Sequence, residues 1–111
     1  MRDERLLNAT CPECRGPLSA VTENGVREYR CLVEHRYSIT GLLHAHSDTQ
    51  ERTLWEAALV LEEAAIIARE AATQLPEAGA ALESQAQEKL KQSAVIRDVL
   101  SRLRPFVVDG E

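Results

Sequence analysis

Beyond about residue 47 the apolar positions of the chain recur in steps of four and three, at Leu54, Ala58, Leu61, Ala65, Ala68, Ala72 and Leu75. That is the heptad rhythm of a helix that packs against other helices. Ser47, with Gln50 three residues on, supplies a capping-box start. Pro76 and Gly79 break the pattern, and a second amphipathic stretch over 77–104 carries Leu82, Ala86, Leu90, Ile96, Val99, Leu100 and Leu103 before Pro105 ends it. Two long helices around a short break at 76–79 predict an antiparallel helical hairpin. Trp55, Leu59, Ile66 and Ile67 widen the apolar face beyond what one partner helix covers. Self-association is therefore expected, two hairpins forming a dimeric four-helix bundle.

The first 46 residues follow a different rule. A short apolar-containing stretch at 18–22, the turn signal Glu23-Asn24-Gly25, and a return over 26–31 with Tyr29 among charged neighbours predict a β-hairpin. Residues 36–39 can add a third strand, and Gly16-Pro17 rules out a helix before the hairpin. The expected fold class is α+β, mainly α, with a small ribbon over 1–46 and a helical hairpin over 47–111.

Few large apolar side chains fall in the ribbon, so burial alone cannot hold it. Its chemistry supplies the alternative. Cys11-Pro-Glu-Cys14 and Cys31-Leu-Val-Glu-His35 are two short turns that each aim two ligands at one point, as a closed tetrahedral Zn²⁺ site requires. The chain has three cysteines and this scheme uses all of them, whereas a disulfide would strand one thiol. A Cys₃His set is a common structural zinc shell, while iron centres more often take four thiolates. Cys11, Cys14, Cys31 and His35 are the expected ligands. His44 and His46 compete for the fourth place, but would need the following helix to fold back over the second turn; with Asp48 and Glu51 they could form at most a weak second site.

Charge narrows the partners. Residues 1–46 carry six Arg against six Asp and Glu, and residues 47–111 carry seven Lys and Arg against twelve Asp and Glu, which gives the net of −5. An acidic hairpin beside a neutral ribbon is a poor partner for nucleic acid, because Arg15, Arg27, Arg30 and Arg36 are interleaved with Glu13, Glu23, Glu28 and Glu34. These charges are expected to be solvated surface. The opening MRDERLLNAT lacks the apolar segment of a secretory signal, and no run of about 18 apolar residues exists to span a membrane. A reducing, cytoplasmic setting is expected.

The runs CPECRGPL, YRCLVEHRYSITGLL and LWEAALVLEE resemble the cysteine-containing C-terminal extension of some CheB-type chemotaxis protein-glutamate methylesterases, in which a CPECxGxL turn precedes a CxxGHxYS turn and a helical tail. The resemblance covers residues 9–70. It implies that Cys11, Cys14, Cys31 and His35 are metal ligands, matches Tyr37 and Ser38 after the histidine, and matches Leu54, Trp55 and Leu59 on the helix. It also implies a bacterial chemosensory or two-component signalling context. Glu34 stands where that pattern often has glycine, so a different backbone conformation is expected in the second turn.

The esterase reaction itself is not implied. No strand–turn–helix setting for a nucleophilic serine is present, and the chain has no room for the α/β sheet that positions a Ser-His-Asp triad. The expected function is a non-catalytic, zinc-binding interaction and assembly module with a protein partner. The alternatives are a nucleic-acid-binding zinc-ribbon regulator, or a zinc-thiolate redox sensor in which oxidation of Cys11, Cys14 or Cys31 releases the metal.

Overall fold

The computed structural model describes residues 2–108. An antiparallel sheet in the order β1-β2-β3-β4 is followed by a long helix, a 3₁₀ turn and a second helix. The strands are β1 (Arg2–Thr10), β2 (Pro17–Glu23), β3 (Val26–Arg30) and β4 (Arg36–Tyr37). The helices are α1 (Ile39–Gln74) and α2 (Gly79–Arg102), with the 3₁₀ turn Pro76–Ala78 between them. This is the small sheet and helical hairpin that the hydrophobic pattern predicts.

Compact packing divides the chain into two units, one up to Gln50 together with the residues from Arg104 onward, the other Glu51–Leu103. In the first unit the predicted hairpin turn is present: Glu23 pairs with Val26 around Asn24 and Gly25, whose φ values are 54° and 79°. Positive φ at both central residues is what a two-residue turn needs to follow the strand twist, and Asn-Gly meets that requirement. One face of the sheet carries Leu7, Leu18, Ala20 and Tyr29, which cluster with Cys11, Cys31, Tyr37 and Leu42.

Three boundaries differ from the sequence expectation. First, β1 was not anticipated, because its run of Arg2, Asp3, Glu4 and Arg5 gives no strand signal; pairing with β2 from Arg2↔Glu23 to Thr10↔Pro17 makes it a strand. Second, α1 begins at Ile39 and not at Ser47, which shortens the third ribbon strand to Arg36–Tyr37. The cap is Ser38, whose hydroxyl accepts the Gly41 N–H at 3.0 Å. Ser47 is instead buried inside the helix and accepts the Phe106 N–H at 3.0 Å, tying the chain after α2 to the first unit. Gln50 bonds His46 Nδ1 at 2.9 Å and caps nothing. Third, α2 starts two residues later and ends two residues earlier than the predicted span 77–104.

In the second unit the seam follows the predicted steps. Ala58, Ala65 and Ala86 are fully or almost fully buried, and Ser93 joins them. Every seventh residue at this level is small: Ala58, Ala65 and Ala72 on α1, Gly79, Ala86 and Ser93 on α2. A Cβ on Gly79 would lie 3.6 Å from the Ala72 carbonyl oxygen, so a side chain as small as alanine's would just reach van der Waals contact there. Leu75 and Leu90, which belong to the predicted apolar pattern, are exposed; α2 places Lys89 and Ser93 at the intervening seam steps. Polar contacts line one flank. Glu62 accepts from Arg97 Nε at 2.6 Å and Nη2 at 2.8 Å and from the Ser93 hydroxyl, and Arg69 pairs with Glu83 at 3.0 Å. The Arg97 guanidinium also lies 4.8 Å from the Trp55 ring centroid.

Candidate metal centre

Each turn holds its sulfurs through the backbone. In the first, the Cys11 N–H bonds the Gly16 carbonyl at 2.7 Å, the Arg15 N–H bonds the Cys11 carbonyl at 2.8 Å, and the Gly16 N–H points at Cys14 Sγ at 3.4 Å. In the second, the Cys31 N–H bonds the His35 carbonyl at 3.2 Å, the Glu34 N–H bonds the Cys31 carbonyl at 3.1 Å, and the His35 N–H points at Cys31 Sγ at 3.3 Å. Both loops turn through one residue of positive φ, Arg15 at 64° and Glu34 at 69°. The second turn thus keeps the left-handed conformation that glycine adopts freely, and Glu34 carries the strain. Thr49 on α1 anchors the first turn from behind, its hydroxyl donating to the Pro12 carbonyl at 3.1 Å.

The turns bring Cys11, Cys14, Cys31 and His35 together, all four donor atoms lying within 4.8 Å of one another. Among the described residues no other group of three or more Cys, His, Asp or Glu side chains converges in this way. His44 and His46 lie in the opening turns of α1 and are not part of the cluster, nor are Asp48 and Glu51. His35 faces the sulfurs with Nδ1, at 3.3 Å from Cys31 Sγ and 3.5 Å from Cys11 Sγ.

These separations fit a tetrahedral ion. Bonds of about 2.3 Å to sulfur and about 2.0–2.1 Å to nitrogen set N···S edges of about 3.6 Å and S···S edges of about 3.8 Å. The edges from His35 Nδ1 to Cys31 and Cys11 are already close to this length, and the widest edge needs to close by no more than about 1 Å.

The sulfurs and the imidazole of the cluster shift one another's protonation. Burial pushes the Cys11 thiol up, but the Tyr37 hydroxyl and the N–H groups of Cys14 and Glu13 outweigh it and bring it down to about 6. Cys31 is also lowered, the N–H groups of His35 and Val33 overcoming burial. Cys14 is raised: the Gly16 N–H favours its thiolate, yet burial and the neighbouring Cys31 and Cys11 sulfurs prevail. His35 is raised, first by Cys11 against burial, then by Cys31 and Glu13. Thiolates crowded at one point repel each other, and a divalent ion reverses that repulsion.

Glu13 and Tyr37 complete the site, and no local sequence pattern assigns either a role there. Glu13 Oε2 lies 3.2 Å from His35 Nε2, and Oε1 accepts the Tyr37 hydroxyl at 2.8 Å. Tyr37 is held protonated, by burial first and then by Cys11 and Glu13. Glu13 is expected among the solvated charges; its place between Cys11 and Cys14 gives no sign of His35, which only the fold brings against it. No family model, no curated protein and no solved structure matches this chain.

Proposed function

We propose that the chain is a non-catalytic module in which Zn²⁺, held by Cys11, Cys14, Cys31 and His35, staples the first unit, and the helical hairpin serves protein–protein assembly. The observation that carries the metal half is the convergence of three thiols and one imidazole within 4.8 Å. Three sulfurs and one nitrogen favour zinc among the common divalent ions, and four protein donors leave no position open for substrate. Bound there, the ion supplies charge neutralisation and a four-point cross-link. The chain's own residues do the rest: backbone N–H groups orient the sulfurs, and Thr49 and the small apolar cluster hold the turns in place. The signalling context implied by the two cysteine turns belongs to this proposal and rests on those motifs alone.

The assembly half rests on the flank of the hairpin opposite the ion pairs. Val60 and Ile67 on α1, 62% and 67% exposed, share that flank with Val95 and Val99 on α2, and Ala57, Ala64 and Ala71 continue it. An α1 stripe with no charge from Ala57 to Ala71 is what a second helix pair covers in a four-helix bundle. A second copy of the chain is the occupant, since a two-fold contact needs only this one surface on each partner.

Metal content and sedimentation test the two halves separately. One zinc per chain and a dimer at micromolar concentration are expected. Purified protein with three free thiols and no zinc overturns the first half. A monomer at high micromolar concentration overturns the second, and Val60→Glu with Ile67→Glu should convert dimer to monomer without loss of helix because both side chains are already exposed.

A further inference from the structure

An imidazole has two nitrogens, and a metal site needs the same one presented every time. Here the choice is made by a residue outside the ligand set. The ring of His35 lies between two acidic partners: Nδ1 points at Cys31 Sγ, 3.3 Å, and Cys11 Sγ, 3.5 Å, while Nε2 points at Glu13 Oε2, 3.2 Å. The second oxygen of Glu13 accepts the Tyr37 hydroxyl at 2.8 Å, and that hydroxyl oxygen is 3.4 Å from Cys11 Sγ. Ligand, phenol, carboxylate and ligand thus form a closed circuit through both turns and β4.

A carboxylate accepts only, so the nitrogen facing it carries the hydrogen and the opposite nitrogen presents its lone pair. We propose that Glu13 is the positioning residue of the metal centre: its carboxylate holds His35 as the Nε2–H tautomer, making Nδ1 the metal-binding atom, and Tyr37 fixes the carboxylate in place. The proposal rests on the metal reading above and extends it to the atom that binds. Glu13 belongs to the first turn and His35 to the second, so the contact also brings the two halves of the site together before an ion arrives. Its side chain is more than half exposed, which makes net stabilisation small and leaves orientation as its contribution.

The test uses the whole chain, ¹⁵N-labelled and loaded with one equivalent of Zn²⁺, with long-range ¹H–¹⁵N spectra of the His35 ring and zinc affinity by chelator competition. The unmodified protein should show a metal-shifted Nδ1 and a protonated Nε2. Glu13→Ala should mix the tautomers and weaken zinc binding by about 10- to 100-fold. Glu13→Gln keeps an oxygen that accepts from Nε2–H, so it should restore the tautomer and most of the affinity. Tyr37→Phe should fall between. Zinc bound through Nε2, or Glu13→Ala with unchanged tautomer and affinity, overturns the assignment to Glu13 and leaves the metal reading standing. Failure of the unmodified chain to take up zinc overturns both.

Discussion

The two units bury few large side chains, and they build their cores in different ways. The first buries Leu18, Val21 and Cys11 and gathers side chains of opposite chemistry around one point. The second buries alanines and a serine, aligns two helices on that narrow seam, and leaves Val60, Ile67 and Val95 outside. With the proposed ion bound, cohesion in the first unit would be concentrated in four donor atoms. In the second it is spread along a stripe, where no single contact dominates. Removing one group should therefore be catastrophic in one place and graded in the other.

The largest expected effect is Cys31→Ser. It removes one of four ligands from a unit whose apolar cluster is small, and zinc-finger peptides draw on the order of 10 kcal/mol from their metal. Metal content should fall and the amide signals of β2 and β3 should collapse, while far-UV helicity from residues 51–102 persists. Loss of all helicity in this variant would show that the two units are not separable in stability.

Next is Ala65→Leu, which forces extra volume into the small-residue seam and should cost about 1–3 kcal/mol. Thermal melting of the helical signal reads it out. An unchanged melting temperature would mean that the helices can separate freely, contrary to the burial of Ala58, Ala65 and Ala86.

Much of this contrast was legible in the sequence. The heptad steps from Leu54 to Ala72 and the Asn24-Gly25 turn each carry a local rule, and the two cysteine turns carry a chemical one. What was not legible depended on tertiary partners. Ser47 followed by Gln50 satisfies the rule for a helix start, yet Ser38 nine residues earlier satisfies one too, and only the completed first unit selects between them. The strand β1 exists because β2 offers an edge, and Leu90 looks apolar enough for the seam although helical phase turns it away. Glu13 illustrates a further limit: a carboxylate between two cysteines signals nothing until the second turn brings His35 against it.

A smaller effect is expected from acid. Glu62 is held down to about 2, first by the hydrogen bonds from Arg97 and then by the Ser93 hydroxyl. A carboxyl lowered in the folded state stabilises it fully above the ordinary value of about 4.5, and that contribution is lost as pH falls through about 2. The clamp should thus survive at pH 4 and disappear below pH 2. Carboxyl ¹³C titration of Glu62 checks the midpoint, and Glu62→Gln should flatten the acid limb of the hairpin's stability curve. A midpoint near 4.5 would remove the clamp from the account.

The smallest change is a gain. Glu34→Gly relieves a left-handed residue at the cost of an exposed ion pair with Arg36 at 3.3 Å. The first unit should become more stable by about 1 kcal/mol, since left-handed geometry costs a non-glycine residue that much and an exposed pair is worth little. A midpoint measured under zinc-buffered conditions that does not rise would mean the strain is absorbed elsewhere.

The stacking of Arg97 on Trp55 has a practical outcome. Trp55 is the sole tryptophan of the chain and lies in the hairpin, whereas both tyrosines, Tyr29 and Tyr37, lie in the first unit. Tryptophan emission therefore follows the loss of one unit and tyrosine absorbance the loss of the other. Two melting curves can be recorded from one unlabelled sample, and the gap between their midpoints measures how independently the halves unfold.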